Sequence, residues 1–297
     1  MEWIAAIQHA IAYIENHLIE EINYEEVAKH VHISGYEFHR AFRFLTGITP
    51  TAYIRNRRLS LAGLEIMETD AKITDIALKY GYETPESFTK AFTRFHGLSP
   101  RSAREDHAKL VFFNPLTIKI TVEGGKSMDY RIAQTKSQRF LAIVKNFPNS
   151  IINDDGNHDI PDFWDECNQK NWIVQLCNLR PEGKRNVYGL CSPTKEGMDT
   201  FEYGIGILID EDTAPFNLAE MEMAGYRIWD VIPGTYVVFD CIGRDGNCIS
   251  QTWEKFYREF LPQTGYEAEA ATDYELYFEN ERAELFCELW IPIKKKA

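Results

Sequence analysis

Near the C-terminus two stretches alternate carboxylates with aromatic rings. Glu275, Tyr277 and Glu279 fall at every second residue, and so do Glu284, Phe286, Glu288 and Trp290. Read as strands, each set lies on one face, because successive side chains of a strand point to opposite sides. A hairpin centred between Glu281 and Arg282 then places Glu275 directly across from Glu288. Like charges set opposite each other destabilise a sheet. A carboxylate pair among Tyr and Trp therefore calls for a cation, a shared proton or open solvent. The chemistry on offer is binding of a cationic or hydrogen-bond-donating apolar ligand, since a partly buried carboxylate is costly without a partner. Aromatic faces add cation–π attraction of roughly 0.5–2 kcal/mol. Trp164, Trp172, Trp229 and Tyr236 are further candidate walls, with plain core packing as the alternative. For the whole set the alternative is a hydrated edge. A catalytic reading gives Glu275, with Tyr236 or Tyr277, the parts of general base and orienting donor. No Ser or Cys nucleophile motif and no phosphate loop accompanies them, so no catalytic residue is assigned.

Metal chemistry finds no support. The six cysteines, Cys167, Cys177, Cys191, Cys241, Cys248 and Cys287, include no Cys-x-x-Cys pair and no His at zinc-finger spacing. They read as buried, reduced thiols. No cofactor is implied.

A second set of candidates lies in a repeat. Phe38-His-Arg-Ala-Phe-Arg-Phe-Leu-Thr-Gly-Ile-Thr-Pro50 recurs as Phe88-Thr-Lys-Ala-Phe-Thr-Arg-Phe-His-Gly-Leu-Ser-Pro100, with Lys90 in the place of Arg40. Such self-similarity marks a duplicated supersecondary unit. Each copy predicts helix, tight turn, helix. In the first, Asn23 caps a helix over Val27, Ala28 and Val31. Ser34 then caps a second helix, with Glu37 at capping-box spacing, Phe38, Ala41, Phe42 and Leu45 inward and Gly47 as its stop. In the second copy Ile73, Ile76, Ala77 and Tyr80 form the first helix. Thr84 and Pro85 open the next, which buries Phe88, Ala91, Phe92 and Phe95 and ends at Gly97. A long helix over 50–68 joins the copies, and an earlier one spans Trp3 to Leu18. The charge is split to match. Residues 29–104 carry twelve Lys/Arg against seven Asp/Glu, whereas residues 109–297 carry twenty against thirty, within a net charge of -13. A basic segment joined to an acidic one is the asymmetry of a DNA reader fused to something else.

Over about residues 5–106 the chain resembles the DNA-binding domain of the AraC/XylS family of bacterial transcription regulators. The stretches that carry the likeness are Ile33–Phe42, Gly47–Ile54, Arg58-Leu59, Ile73–Ala77, Gly81–Phe92 and Gly97–Pro100. The resemblance implies double-stranded DNA as partner, contact with RNA polymerase, and a role as activator. It also implies base contacts from early positions of each second helix. Those positions are Tyr36, His39 and Arg40 in one copy, and Glu86, Ser87 and Lys90 in the other. Arg and Lys suit guanine edges, and Glu86 suits cytosine N4. Glu86 stands where many relatives carry an amide. Arg43, Arg55, Arg57 and Arg94 are then expected at phosphates or in surface ion pairs.

After a connector over 107–127 the periodicity changes. Strands are expected over 130–133, 140–145, 187–191 and 201–209, with a helix opened by Pro161 between the second and third. The order recurs, with strands over 226–232, 235–241, 274–278 and 284–291 and a helix over 249–261. This predicts a duplicated α+β domain over 128–297 behind an all-α double helix-turn-helix domain over 1–106. The later part resembles gyrase-inhibitor-like effector-binding domains, through Tyr203–Ile207, Ile232–Phe239, Phe260-Leu-Pro262, Tyr274–Tyr277 and Cys287–Pro292. That likeness implies a small-molecule effector held in a cleft between the two halves, with an acidic residue at its floor; a few such domains are hydrolases using a Glu and a Tyr, and the other alternative is a constitutive DNA binder whose C-terminal domain contacts another protein. No apolar run reaches the ~18 residues of a membrane span, and the first residues lack a secretory signal, so a cytoplasmic protein is expected.

Overall fold

The computed structural model describes residues 2–104, 109–118, 129–148, 159–193, 200–280 and 284–296. The chain divides into two compact units, residues 1–122 and 123–297. Residues 109–118 of the expected connector thus group with the helical unit, and Gly124-Gly125 lies outside the described residues.

The first unit is built on six α-helices among the described residues: α1 (Glu2–Asn16), α2 (Tyr24–His30), α3 (Gly35–Thr46), α4 (Pro50–Glu68), α5 (Ile73–Lys79) and α6 (Pro85–His96). Side-chain chemistry fixes the ends. The Glu26 amide donates to Asn23, whose own amide donates to the Glu26 carboxylate, and Ser34 and Thr84 accept from Glu37 and Ser87 in the same way. Gly47 and Gly97 stop α3 and α6 with φ of 77° each, the left-handed region that costs a residue with a Cβ. Phe38, Phe42, Phe88 and Phe92 are fully buried. Each such ring contributes roughly 1.5–3 kcal/mol by leaving water. Chain beyond the last helix is tied along α4: Arg57 donates to the Phe113 carbonyl, the Phe113 amide to Ser60 Oγ, and the Leu116 amide to Tyr53 Oη.

The second unit is one antiparallel sheet with helices on one side. Its elements are β1 (Arg131–Thr135), β2 (Gln138–Pro148), α7 (Asp159–Gln169), α8 (Trp172–Cys177), β3 (Val187–Cys191), β4 (Thr200–Ile209), α9 (Leu218–Met223), β5 (Tyr226–Val231), β6 (Gly234–Ile242), α10 (Asn247–Lys255), β7 (Tyr266–Ala268), β8 (Asp273–Tyr277) and β9 (Leu285–Lys295). The helix expected over 249–261 is α10 followed by a π-helical turn at Phe256–Phe260. The short α8, α9 and β7 were not anticipated. The strand order β1-β6-β9-β8-β3-β4-β2-β5 reads as two copies of one pattern about its centre, with β7 added on β9. The outermost strand of each half, β1 or β5, is exchanged onto the partner half. A pseudo-two-fold axis therefore passes between β3 and β8.

Two faces follow from the pleat. On the helix side α8 packs on β2 and β4 and α10 on β6 and β9, with the central pair β3–β8 between. On the other side Phe140, Tyr188, Trp229, Tyr236 and Tyr274 form a buried aromatic cluster. Trp229, on the β5 edge, and Tyr236, on β6, both hydrogen-bond Thr272, at 3.4 and 3.1 Å. Strands near opposite ends of the order reach one residue, so the sheet curls around this face.

Candidate effector site and DNA-reading face

The register of β8 and β9 decides which side chains meet. Tyr274 pairs with Trp290, Glu275 with Leu289 and Leu276 with Glu288. The pairing is shifted by one residue from the expected hairpin, whose centre at Glu281-Arg282 lies outside the described residues. A slip of one sends every side chain of one strand to the other face. Glu275 and Glu288 accordingly face opposite sides of the sheet, and the expected carboxylate pair does not form.

Glu288 faces the aromatic side and has its cation built in. It is only 5 % exposed, and Arg131 of β1 donates to its Oε2 at 2.7 Å while the Trp290 indole donates at 3.1 Å. The same guanidinium lies over the Trp290 ring, which in turn stacks on Tyr274 at 5.3 Å. Tyr236 is buried beside them. Glu288, Trp290 and Tyr236, expected to line a pocket, are thus parts of this side's packing.

Glu275 faces the helix side, and three expected residues assemble there with one that was not foreseen. Trp164 of α7 donates its indole N–H to Tyr203 Oη at 3.0 Å. Tyr203 of β4 donates to Glu275 Oε2 at 2.6 Å, and Tyr277 donates to the same oxygen at 3.3 Å. The Trp164 ring meets Tyr277 edge-on at 4.9 Å, and Tyr277 meets Phe286 at 5.7 Å. Burial, then the neighbouring Glu275 charge, pushes both phenols well above the ordinary tyrosine range. Each stays protonated and remains a donor to the carboxylate. The arrangement holds one acidic group, half-buried, in a ring of aromatic surface. Tyr203 lies in the stretch Tyr203–Ile207 that resembles gyrase-inhibitor-like domains, and strand alternation aligns it with Ile205 and Ile207. Its closeness to Glu275 depends on β3 lying between β4 and β8, which periodicity does not reveal.

In the helical unit the two sets of residues expected to read DNA differ. Glu86, Ser87, Lys90 and Arg94 are exposed along α6, where Pro85, Thr89 and Thr93 join them in a shallow groove. In α3, Tyr36, His39 and Arg40 were expected on an exposed face and instead are 7, 3 and 7 % exposed. Arg40 donates to Tyr36 Oη and lies over its ring, and the His39 ring meets Tyr24 edge-on at 5.3 Å. Arg43 donates to the Gly47 carbonyl at the end of α3. Arg55 is exposed. Arg57, expected at a phosphate or in a surface ion pair, is buried and clasps the Glu15 carboxylate with Nε and Nη2. Among the described residues no group of His, Cys, Asp and Glu could hold a metal ion, and no helix is long and apolar enough to cross a membrane.

Comparisons with known proteins divide the chain at the same place as its chemistry. Residues 27–106 match a helix-turn-helix domain, and residues 131–293 match the integron-associated effector binding protein family. Over 104 residues the chain is 38% identical to the uncharacterized HTH-type transcriptional regulator YbfP of Bacillus subtilis (strain 168), covering 35% of each, so the match spans about a third of that relative. It is 33% identical over 94 residues to the HTH-type transcriptional activator AarP of Providencia stuartii, covering 32% of this chain and 70% of AarP. Along 99% of its length it aligns with all of the right origin-binding protein of Escherichia coli (strain K12), at 24% identity.

Proposed function

We propose, from the premise that the chain belongs to the integron-associated effector binding proteins through its C-terminal unit and to the AraC-type helix-turn-helix regulators through its N-terminal one, that it is a transcription activator switched by a small apolar ligand carrying a cationic or hydrogen-bond-donating group. DNA binding itself follows from the family.

The observation that carries the ligand class is the chain of hydrogen bonds Trp164–Tyr203–Glu275–Tyr277. Two protonated phenols orient one carboxylate, and aromatic edges and faces surround it. A cation entering there gains a charge partner and ring faces at once. The expected site is thereby sharpened: Glu275, Tyr277 and Trp164 stay in it, Tyr203 joins, and Glu288 already holds Arg131. The unit is read as a binder and not a hydrolase. The test is binding of an aromatic quaternary ammonium or phosphonium ion and of a neutral isostere. Glu275→Gln weakens the cation roughly tenfold or more and the isostere little, if the carboxylate is the partner. Equal affinities in wild type and variant would place the ligand elsewhere, and turnover of an ester by the wild-type chain would favour the hydrolase.

For DNA we propose that α6 presents Glu86, Ser87 and Lys90 to base edges and Arg94 to phosphate, and that Tyr36, His39 and Arg40 of α3, with Arg43 beside them, act as the second reading set when their buried face is uncovered. The name of AarP, an activator, supports activation, and with it contact with RNA polymerase; action in the cytoplasm goes with that reading.

A further inference from the structure

The pseudo-two-fold axis makes the halves of the sheet comparable residue by residue. The β3–β8 register runs from Val187↔Tyr277 to Cys191↔Asp273, so Gly189 pairs directly with Glu275 at its centre. The symmetry that exchanges the halves also maps Gly189 onto Glu275. Applied to β4 and β9 through their pairings with β3 and β8, the same operation maps Tyr203 onto Cys287 and Cys191 onto Tyr277. At each of these three equivalences one half carries a large polar side chain and the other a small one. The large members, Tyr203, Glu275 and Tyr277, are those that hydrogen-bond one another.

Gly189 is where this exchange is sterically strict. A Cβ built on it would fall 2.2 Å from Tyr203 Oη and 2.3 Å from Glu275 Oε2, with the Tyr203 ring carbon Cζ at 3.1 Å. The carboxylate and the phenol thus meet in the volume that Gly189 leaves empty. Its backbone needs no special torsion here; the requirement is space alone. With any larger residue, Tyr203 and Glu275 could not both keep their places, and the carboxylate would lose the donor that holds it near the axis.

We propose that Gly189 is the specificity-determining position of the effector site. By vacating the shared volume it converts a two-fold-related pair of strand positions into a site with one central carboxylate, and so sets the preference for a ligand with a single cationic head. Gly189 acts as a positioning residue, through Glu275 and Tyr203. The inference rests on the reading of Glu275 as the ligand's charge partner.

The test uses the full chain, the same aromatic quaternary cation and its neutral isostere, and four variants: Gly189→Ala, Tyr203→Phe, Gly189→Ala with Tyr203→Phe, and Glu275→Gln. Gly189→Ala lowers cation affinity about tenfold or more and changes the isostere by less than about threefold, because only the oriented carboxylate is disturbed. The double variant, which removes one of the two oxygens that the new methyl would strike and opens room into which the Glu275 carboxylate can shift, recovers cation affinity to within about threefold of Tyr203→Phe alone, as expected for sites coupled by contact. Equal losses for cation and isostere, or a double variant as weak as Gly189→Ala, would overturn the proposal. If Gly189→Ala does not fold, the double variant must, since losing the phenol oxygen gives the Glu275 carboxylate room to move off the new methyl; a double variant that also fails to fold overturns it equally. Glu275→Gln separates the two readings. No effect there removes the ligand site itself, whereas a loss there with none at Gly189→Ala removes only the role given to Gly189.

Discussion

The second helices of the two helix-turn-helix units, α3 and α6, are built alike. Each runs for 12 residues from a hydroxyl cap to a glycine in the left-handed region, and each buries a Phe pair one turn apart. Their other faces have diverged. The α6 positions Glu86, Ser87, Thr89 and Lys90 are exposed, while their α3 counterparts Tyr36, Glu37, His39 and Arg40 include three that are buried. Duplication preserved what packs, because deleting a core ring costs several kcal/mol. It left the remaining face free to change, because substitution there costs little stability. The repeat therefore reports a shared scaffold and says nothing of whether both copies present a reading surface.

The largest effect tests the shared part. Phe38→Ala and Phe88→Ala should each destabilise the helical unit by about 3–5 kcal/mol. Denaturant unfolding followed by helical circular dichroism measures both. Losses that agree within ~1 kcal/mol support equivalent scaffolds, and a loss below ~1 kcal/mol in one copy would break the equivalence.

The next effect tests the diverged part through pH. Burial, then the charge of Arg43, pushes His39 from 6.5 to about 4. The unfolded chain takes up a proton near pH 6.5 that the folded chain refuses until about pH 4. Stability from the neutral ring is thus complete above 6.5 and is lost as pH falls through that window, roughly 3 kcal/mol over its whole width. His39→Gln should flatten this part of the acid limb. The α6 counterpart, Thr89, does not titrate, and Thr89→Ala should leave the limb unchanged. A wild-type limb no steeper than that of His39→Gln would show that the ring is open to solvent.

Binding separates the copies further. Lys90→Ala should weaken specific DNA binding by about 1–3 kcal/mol, relax preference at one base position, and change unfolding by no more than about 0.5 kcal/mol. Arg40→Ala should lower stability as well, by about 1–3 kcal/mol, because it removes the internal partner of Tyr36. Melting and DNA titration of the same two proteins decide it. If Arg40→Ala changes binding alone, the α3 face is as open as that of α6.

Legibility in the sequence follows the same division. Helices, caps and stops were readable because Asn23, Ser34, Thr84, Gly47 and Gly97 act within a few residues of where they stand. The strand, strand, helix, strand, strand order was readable twice over, for the same local reason. What was not readable depends on long-range pairing. Alternation identified Glu275, Tyr277, Glu288 and Trp290 as four residues of two strands, yet a one-residue difference in register sent the carboxylates to opposite faces. Arg131, more than a hundred residues upstream, answers Glu288, and Tyr203 answers Glu275 across an intervening strand. Burial of Tyr36, His39 and Arg40 was likewise invisible, since a helix pattern marks its apolar face and leaves open what covers the other.

The smallest expected effect concerns Arg94. It is exposed on α6, and the repeat places Phe44 at the matching position of α3, so any phosphate contact made there belongs to one copy alone. A phosphate contact carries no sequence information of its own, because every nucleotide offers the same charge. Its loss should weaken specific and non-specific DNA alike, by less than the loss of Lys90. The signature is in the salt dependence. Each neutralised phosphate releases condensed counterions, so Arg94→Ala should reduce the slope of log affinity against log salt by about 0.9. Titrations at several salt concentrations, on a specific and a scrambled duplex, measure it. A reduced slope with equal losses on both duplexes makes Arg94 a phosphate clamp, and sharpens the contrast between the copies, because Phe44 cannot supply its equal. A loss confined to the specific duplex would make Arg94 a base reader and extend the reading face of α6 by another turn.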